Sequence, residues 1–432
     1  MDGLGSIDRT NAIGRAAAPL GRASRSALPY LLLSGAIYYN AGLAFLNAHG
    51  LRLTEAHVAV TELAILFATA MFLMFRWGRL GPNRAFVIAS FCVFLFLFVW
   101  VTFTNGIVFV RTPREFAIVC MFYLVGTQCP PERMLGAFRS ITLVTLAVLL
   151  IEGFAVPLYV WLFQPADYFA NTRGIEKFSL DDSGLFRNSL GFAGRFSYGL
   201  FGQRRLSSVF LEQVSLANFA MVLTIFAVTW WERMKRFDRL LFVVAVVLMI
   251  LSNSSRTGTA LCLLMALGYW IFPKLPKSFY GAAMPALLLV AALLFYRPEQ
   301  GFSDTLAGRI GHTVGLLARM DLSDLVTGDV ANIARTGDSG YAYLVYATTV
   351  VGLAYFWIFL WVLLPAESAM DKRFAFSALL FICVNLMVGA AILSIKVSAP
   401  LWMICGCLAA QAEAVRAARP KPAPLFRQVG AT

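Results

Sequence analysis

Between Leu28 and Gln411 the chain is built from about a dozen apolar stretches, each roughly 15–25 residues long, separated by short charged segments. A helix needs about 20 such residues to cross about 30 Å of hydrocarbon, and inside a bilayer only helices and closed barrels satisfy their own backbone. The expected fold is therefore all-α, a polytopic integral membrane protein with about 12 transmembrane helices. The candidate spans run approximately 28–48, 55–75, 85–104, 114–128, 140–163, 209–231, 239–253, 257–272, 279–296, 341–364, 374–395 and 397–411. Two hydrophilic intervals, about 164–208 and 297–340, interrupt the rhythm and are where chemistry is expected. With 59% hydrophobic and only 14% charged residues, the composition excludes a soluble domain.

The formal charge of +13 does not point to nucleic acid, because the basic residues sort by side. If the first 27 residues are cytoplasmic, 21 of the 36 Lys and Arg fall on that side, among them Arg76, Arg79, Arg84, Arg233, Lys235, Arg236 and Arg239. The short turns opposite hold only Arg52, Arg111, Arg114, Arg256 and Lys396. Positive charge stays in short cytoplasmic loops, so both termini are expected inside and both long loops outside. The apolar run after the basic residues 1–27 is too long for a signal peptide and reads as a retained first helix. Residues 412–432, with Pro420, Pro422 and Pro424 among Lys and Arg, read as a flexible cytoplasmic tail.

All seven cysteines lie in or beside apolar spans, and Cys405-Gly406-Cys407 reads as small-residue helix packing. The only histidines, His49, His57 and His312, lack the spacing of a zinc site, and no phosphate-cradling glycine loop occurs. No metal and no cofactor is expected.

Three segments at the outer membrane edge carry the unusual polar residues. Arg204-Arg205-Leu206-Ser207-Ser208-Val209-Phe210-Leu211-Glu212 enters the sixth span, where either arginine serves a site or snorkels to lipid phosphates. Glu212 is expected about one turn inside that helix, where an ionised carboxylate needs a partner or a wet cavity. Ser254-Ser255-Arg256-Thr257-Gly258 joins two spans almost without a loop, so Arg256 either faces anionic oxygens or caps the preceding helix. Asp338-Ser339-Gly340-Tyr341 opens the tenth span, with Asp338 either a helix N-cap or a site residue.

This order, Arg-x-Ser-Ser-x-Phe-x-Glu, then Ser-Arg-Thr-Gly, then Asp-Ser-Gly-Tyr followed by Gly352, resembles the O-antigen ligase and O-antigen polymerase superfamily of bacterial envelope glycosyltransferases. The nearest likeness is to exopolysaccharide repeat-unit polymerases of the xanthan and succinoglycan type, over roughly 200–360 by motif and elsewhere by topology. The resemblance implies a metal-independent membrane glycosyltransferase of the GT-C-like class in the bacterial inner membrane. It would polymerise undecaprenyl-pyrophosphate-linked oligosaccharides on the periplasmic face, among membrane lipids and with a chain-length regulator or export complex as partner. Arg205 and Arg256 match the family's arginines and would stabilise charge developing on the pyrophosphate, with Arg204 in reserve. The general base is Glu212 or Asp338, and burial raising its pKa favours Glu212. The ligase branch carries a His near the start of the tenth span, and His312 lies upstream of that motif, which argues for a polymerase. An arginine–glycine spacing described for some polymerases occurs at Arg173 to Gly184 and at Arg297 to Gly308, making Arg173 and Arg297 substrate-binding candidates together with Tyr341. The aromatic residues of the first loop, Tyr168, Phe169, Phe178, Phe186, Phe192, Phe196, Tyr198 and Phe201, are expected mainly to pack. The alternatives are an O-antigen ligase acting on lipid A core and a lipid-linked oligosaccharide flippase; no convincing internal repeat supports the latter.

Overall fold

The computed structural model describes residues 26–81, 83–176, 183–191, 196–296, 303 and 305–418. Each predicted span coincides with a helix: α1 (Leu28–Ala48), α2 (Glu55–Phe75), α3 (Arg84–Asn105), α4 (Arg111–Gly126), α5 (Pro131–Phe154) with α6 (Val156–Phe163), then α8 (Gln213–Trp230), α9 (Arg236–Asn253), α10 (Arg256–Ile271), α11 (Ser278–Phe295), α14 (Gly340–Leu363), α15 (Ala369–Val388) and α16 (Ile395–Ala418). Between them lie α7 (Pro165–Arg173) in the first loop, and α12 (Leu306–Arg319) and α13 (Leu322–Thr327) in the second. Among the described residues eight helices are long and apolar enough to cross a membrane, and the chain is a helical membrane protein.

Several boundaries differ from the sequence reading: the fifth span begins at Pro131 rather than 140, and the eleventh runs Ala369–Val388 rather than 374–395. The fifth span is two helices, broken where Ala155 leaves helical geometry ahead of Pro157. The sixth starts only at Gln213, because Ser208–Phe210 forms a 3-10 turn and Leu211 takes a left-handed φ of 59°. Glu212 is therefore the N-cap residue of α8 rather than a residue one turn inside it. The last helix extends to Ala418, so residues 412–418 of the expected tail are helical; 419–432 and 1–25 lie outside the described residues.

Helices α8 and α16 form the centre, each with 89% of its most apolar window buried, whereas α2 and α11 show 22% and 17% and turn Phe67, Phe75 and Leu293 outward. That inside-out apolarity suits a hydrocarbon solvent. The closest packing is of α16 against α4: a Cβ on Gly406 would collide with the Tyr123 carbonyl, and one on Gly126 with the Met403 carbonyl. Gly406 thus packs helices as its small-residue setting suggests, and Cys405 and Cys407 beside it are buried free thiols.

Polar contacts gather at the two ends of the bundle. At one end Arg139 makes a bidentate pair with buried Asp238 at 2.7 and 2.9 Å, Arg373 pairs with Glu232 at 2.8 Å, and Arg233 reaches Gln411. The other end receives both long loops and every segment singled out above.

Candidate functional site

The first loop re-enters the bundle over a buried carboxylate. Glu152, 1% exposed near the end of α5, accepts hydrogen bonds from the backbone N–H of Ser207 (2.8 Å) and Ser208 (2.6 Å) and from the Ser207 hydroxyl (3.1 Å). Tyr159 donates to the Ser208 carbonyl at 3.0 Å, and the Ser208 hydroxyl donates to the Thr145 carbonyl at 2.7 Å. These bonds hold the left-handed turn at Ser208 and Leu211, a conformation that non-glycine residues adopt only when their surroundings impose it. Arg204 donates to the Gly153 carbonyl at 3.1 Å, so the reserve arginine serves to tie the loop to α5.

Arg205, one residue on, points elsewhere. Its backbone N–H donates to the Ser189 carbonyl (3.0 Å) and its Nη2 to the Phe196 carbonyl (3.2 Å). At the α9–α10 junction Ser254, φ 56°, closes α9 with its own N–H on the Ile250 and Leu251 carbonyls, and Ser255 caps α10 by accepting from Gly258 N–H at 3.1 Å. Arg256 therefore caps nothing: it is exposed at the first position of α10, with its guanidinium 5.1 Å from the centre of the Phe196 ring. Two arginines from different segments converge on one loop residue, beside a helix N-terminus whose dipole adds to their positive field. Leu206 N–H donates to Ser252 O, and the Asn253 amide donates to Leu206 O and Gln213 O, binding loop and junction into one unit.

Glu212 is a different kind of group from the base that burial alone suggested. Burial by itself raises its pKa, but Lys396 at 3.1 Å and the ion-paired Arg173 outweigh that and hold it well below the usual carboxylate range. Being ionised and doubly paired, it is a poor proton acceptor. Arg173 is correspondingly committed to Glu212 and stacks over Phe169 at 4.8 Å. Its spacing partner Gly184, φ 73°, takes a separate job, accepting from Ala166 N–H; Arg297 lies outside the described residues. Three further buried glutamates of the spans are also satisfied, Glu152 as above, Glu62 by Arg114 (2.7 Å) and the Tyr39 hydroxyl, and Glu115 by Arg111 (2.6 Å) and the Tyr343 hydroxyl (2.8 Å).

In the second loop Ser339, not Asp338, caps α14, accepting from Ala342 N–H at 3.2 Å. Asp338 is left half-exposed and pairs with Arg309 of α12 at 2.8 Å. Tyr341 is fully buried, its hydroxyl donating to the Cys383 carbonyl at 3.2 Å, so it packs the bundle and is closed to a substrate. The fold also does what sequence distance concealed: it sets His312 Nε2 3.7 Å from where a Cβ on Gly337 would lie, next to the Asp-Ser-Gly turn. His312, upstream of the motif in sequence, is thus near this turn in space. Leu306, Ile310, Val314 and Leu317 recur at helical spacing, so an amphipathic helix carrying Arg309 and His312 on it was readable, but the turn it would meet was not.

Packing accounts for four of the six described first-loop aromatics: Tyr168, Phe169 and Phe186 are buried, and Phe201 lies against Gly153 and Phe154. Phe196 and Tyr198 stay partly open beside the arginines, while Phe178 and Phe192 lie outside the described residues. No protein-family model, curated protein or solved structure matches this chain.

Proposed function

We propose that this membrane protein is a metal-independent, lipid-linked-sugar glycosyltransferase that polymerises undecaprenyl-pyrophosphate-linked oligosaccharide repeat units. In this reading it has about 12 spans in the bacterial inner membrane, cytoplasmic termini and both long loops in the periplasm. The observation that carries it is the convergence of Arg205 and Arg256 on Phe196. The acceptor hydroxyl attacks the anomeric carbon of the donor, the glycosyl–pyrophosphate C–O bond breaks, and the electron pair leaves with the pyrophosphate. Two fixed guanidiniums stabilise that charge without reorganisation. In this reading the proton passes to a base of the second loop, the half-exposed and singly paired Asp338 or His312 near the same turn, rather than to the buried and doubly paired Glu212.

A ligase delivering finished chains to lipid A core is the second reading, favoured by the position of His312. The test is to delete the gene, analyse lipid-linked saccharides and secreted polymer, and complement with wild type, Arg205→Ala and Arg256→Ala. Accumulated periplasmic single repeat units, with each variant lowering polymer by about 10²-fold or more, are expected. Full-length polymer from both variants at normal membrane levels sinks the arginine mechanism. Finished lipid-linked polymer left untransferred means the ligase, and repeat units trapped on the cytoplasmic face mean a flippase.

A further inference from the structure

We propose that Phe196 is a positioning residue that sets the geometry of both arginines at once. Its ring carries the Arg256 guanidinium at 5.1 Å, and its carbonyl accepts from Arg205 Nη2 at 3.2 Å. Holding Arg256 beside Arg205 while keeping it able to meet an anion needs an anchor that does not neutralise it. A carboxylate would hold Arg256 but consume its donors. An aromatic face holds the cation through the flat side of the guanidinium and leaves the N–H groups on its edge directed outward for an anion. Among the described residues Arg256 makes no ion pair, in contrast to Arg173, which is committed to Glu212.

Phe196 is itself fixed to the element that bears Arg256. Its ring meets Tyr198 edge-on at 4.9 Å, Tyr198 N–H donates to Ser254 Oγ at 3.2 Å, and the Tyr198 hydroxyl bonds Thr259 Oγ1 at 2.8 Å. The segment 196–198 is thus stitched to the α9–α10 junction from one side and to Arg205 from the other. The functional weight of Phe196 rests on the transferase reading above; its hold on the two arginines does not.

The two are separated by reading the arginines directly. Full-length protein in nanodiscs is labelled with phenylglyoxal, and the rate at each arginine is followed by peptide mass spectrometry. In Phe196→Leu, Arg256 should label at least about threefold faster and Arg205 by a smaller factor, because the ring is lost while the carbonyl remains. Phe196→Tyr, which keeps an aromatic face, should label as wild type. Binding of farnesyl pyrophosphate, used as a short diphosphate probe, should weaken about 2- to 30-fold in Phe196→Leu, and not further when Arg256→Ala is already present. Wild-type labelling of both arginines in Phe196→Leu overturns the proposal. Faster labelling together with probe binding that ignores Arg205→Ala and Arg256→Ala keeps the positioning role and sinks the transferase reading instead.

Discussion

The two long loops reach the same end of the bundle but are fastened by opposite means. The first closes over a buried carboxyl group: Glu152, in apolar surroundings, takes three donors from Ser207 and Ser208. The second is clipped by neutral groups at the end of α3. Asn105 donates to Thr327 O (3.0 Å) and accepts from Val330 N–H (3.1 Å), Thr104 adds a bond to Thr327 O (2.9 Å), and Trp100 one to Val326 O (3.0 Å). Asp329 N–H then meets the Tyr346 carbonyl, near the break in α14 where Thr349 takes a φ of 69°. A buried acceptor has no alternative partner when its donors move, whereas neutral amides at the rim exchange with water. The lesson is a difference in anchoring: the first loop, which carries Arg205, is held from beneath by a buried carboxyl group, and the second, which carries Asp338 and His312, by neutral groups at the rim.

The comparison breaks most sharply at Glu152. Glu152→Ala leaves the buried Ser207 and Ser208 N–H donors without their acceptor and should cost roughly 2–4 kcal/mol, read as lost thermal stability in detergent together with lost polymer. Stability equal to wild type would mean the first loop is not carboxylate-anchored. Next comes Glu212→Gln, which strands Lys396 and Arg173 and should cost roughly 1–3 kcal/mol, discounted for the partial exposure of the pair. Because the folded pKa is lowered, the stabilisation by Glu212 is complete above the ordinary carboxylate value of about 4.3 and is lost only as pH falls through the lower folded value. The stability gap between wild type and Glu212→Gln should therefore stay constant between about pH 6 and 8; a gap that grows across that range would restore Glu212 as a titrating base.

Asn105→Ala should cost about 1–2 kcal/mol and act locally. Limited proteolysis is expected to nick the second loop faster while cleavage in the first is unchanged. The smallest stability effect belongs to Asp338→Asn, below about 1 kcal/mol because its pair with Arg309 is half-exposed. Polymer output should nevertheless fall by about 10²-fold, the scale of a lost proton acceptor. Full output from both Asp338→Asn and His312→Gln would remove the second loop from the chemistry.

The amino-acid sequence by itself determined the helical membrane fold and the place of nearly every helix. The reason is that apolar length is a one-dimensional property: the bilayer asks only for enough consecutive apolar residues, as in 28–48 and 55–75, which match α1 and α2 to the residue. It also marked Arg205 and Arg256 as unusual, because charge at a membrane edge is conspicuous anywhere in the chain. Only the tertiary structure decided which polar groups are spent and which are available. Arg204 is used on Gly153, Arg173 and Lys396 on Glu212, and Tyr341 on Cys383, while His312 arrives beside Gly337 from a helix well upstream. Hydrogen bonds and ion pairs are settled within about 3 Å in space, a distance that spacing along the chain does not encode.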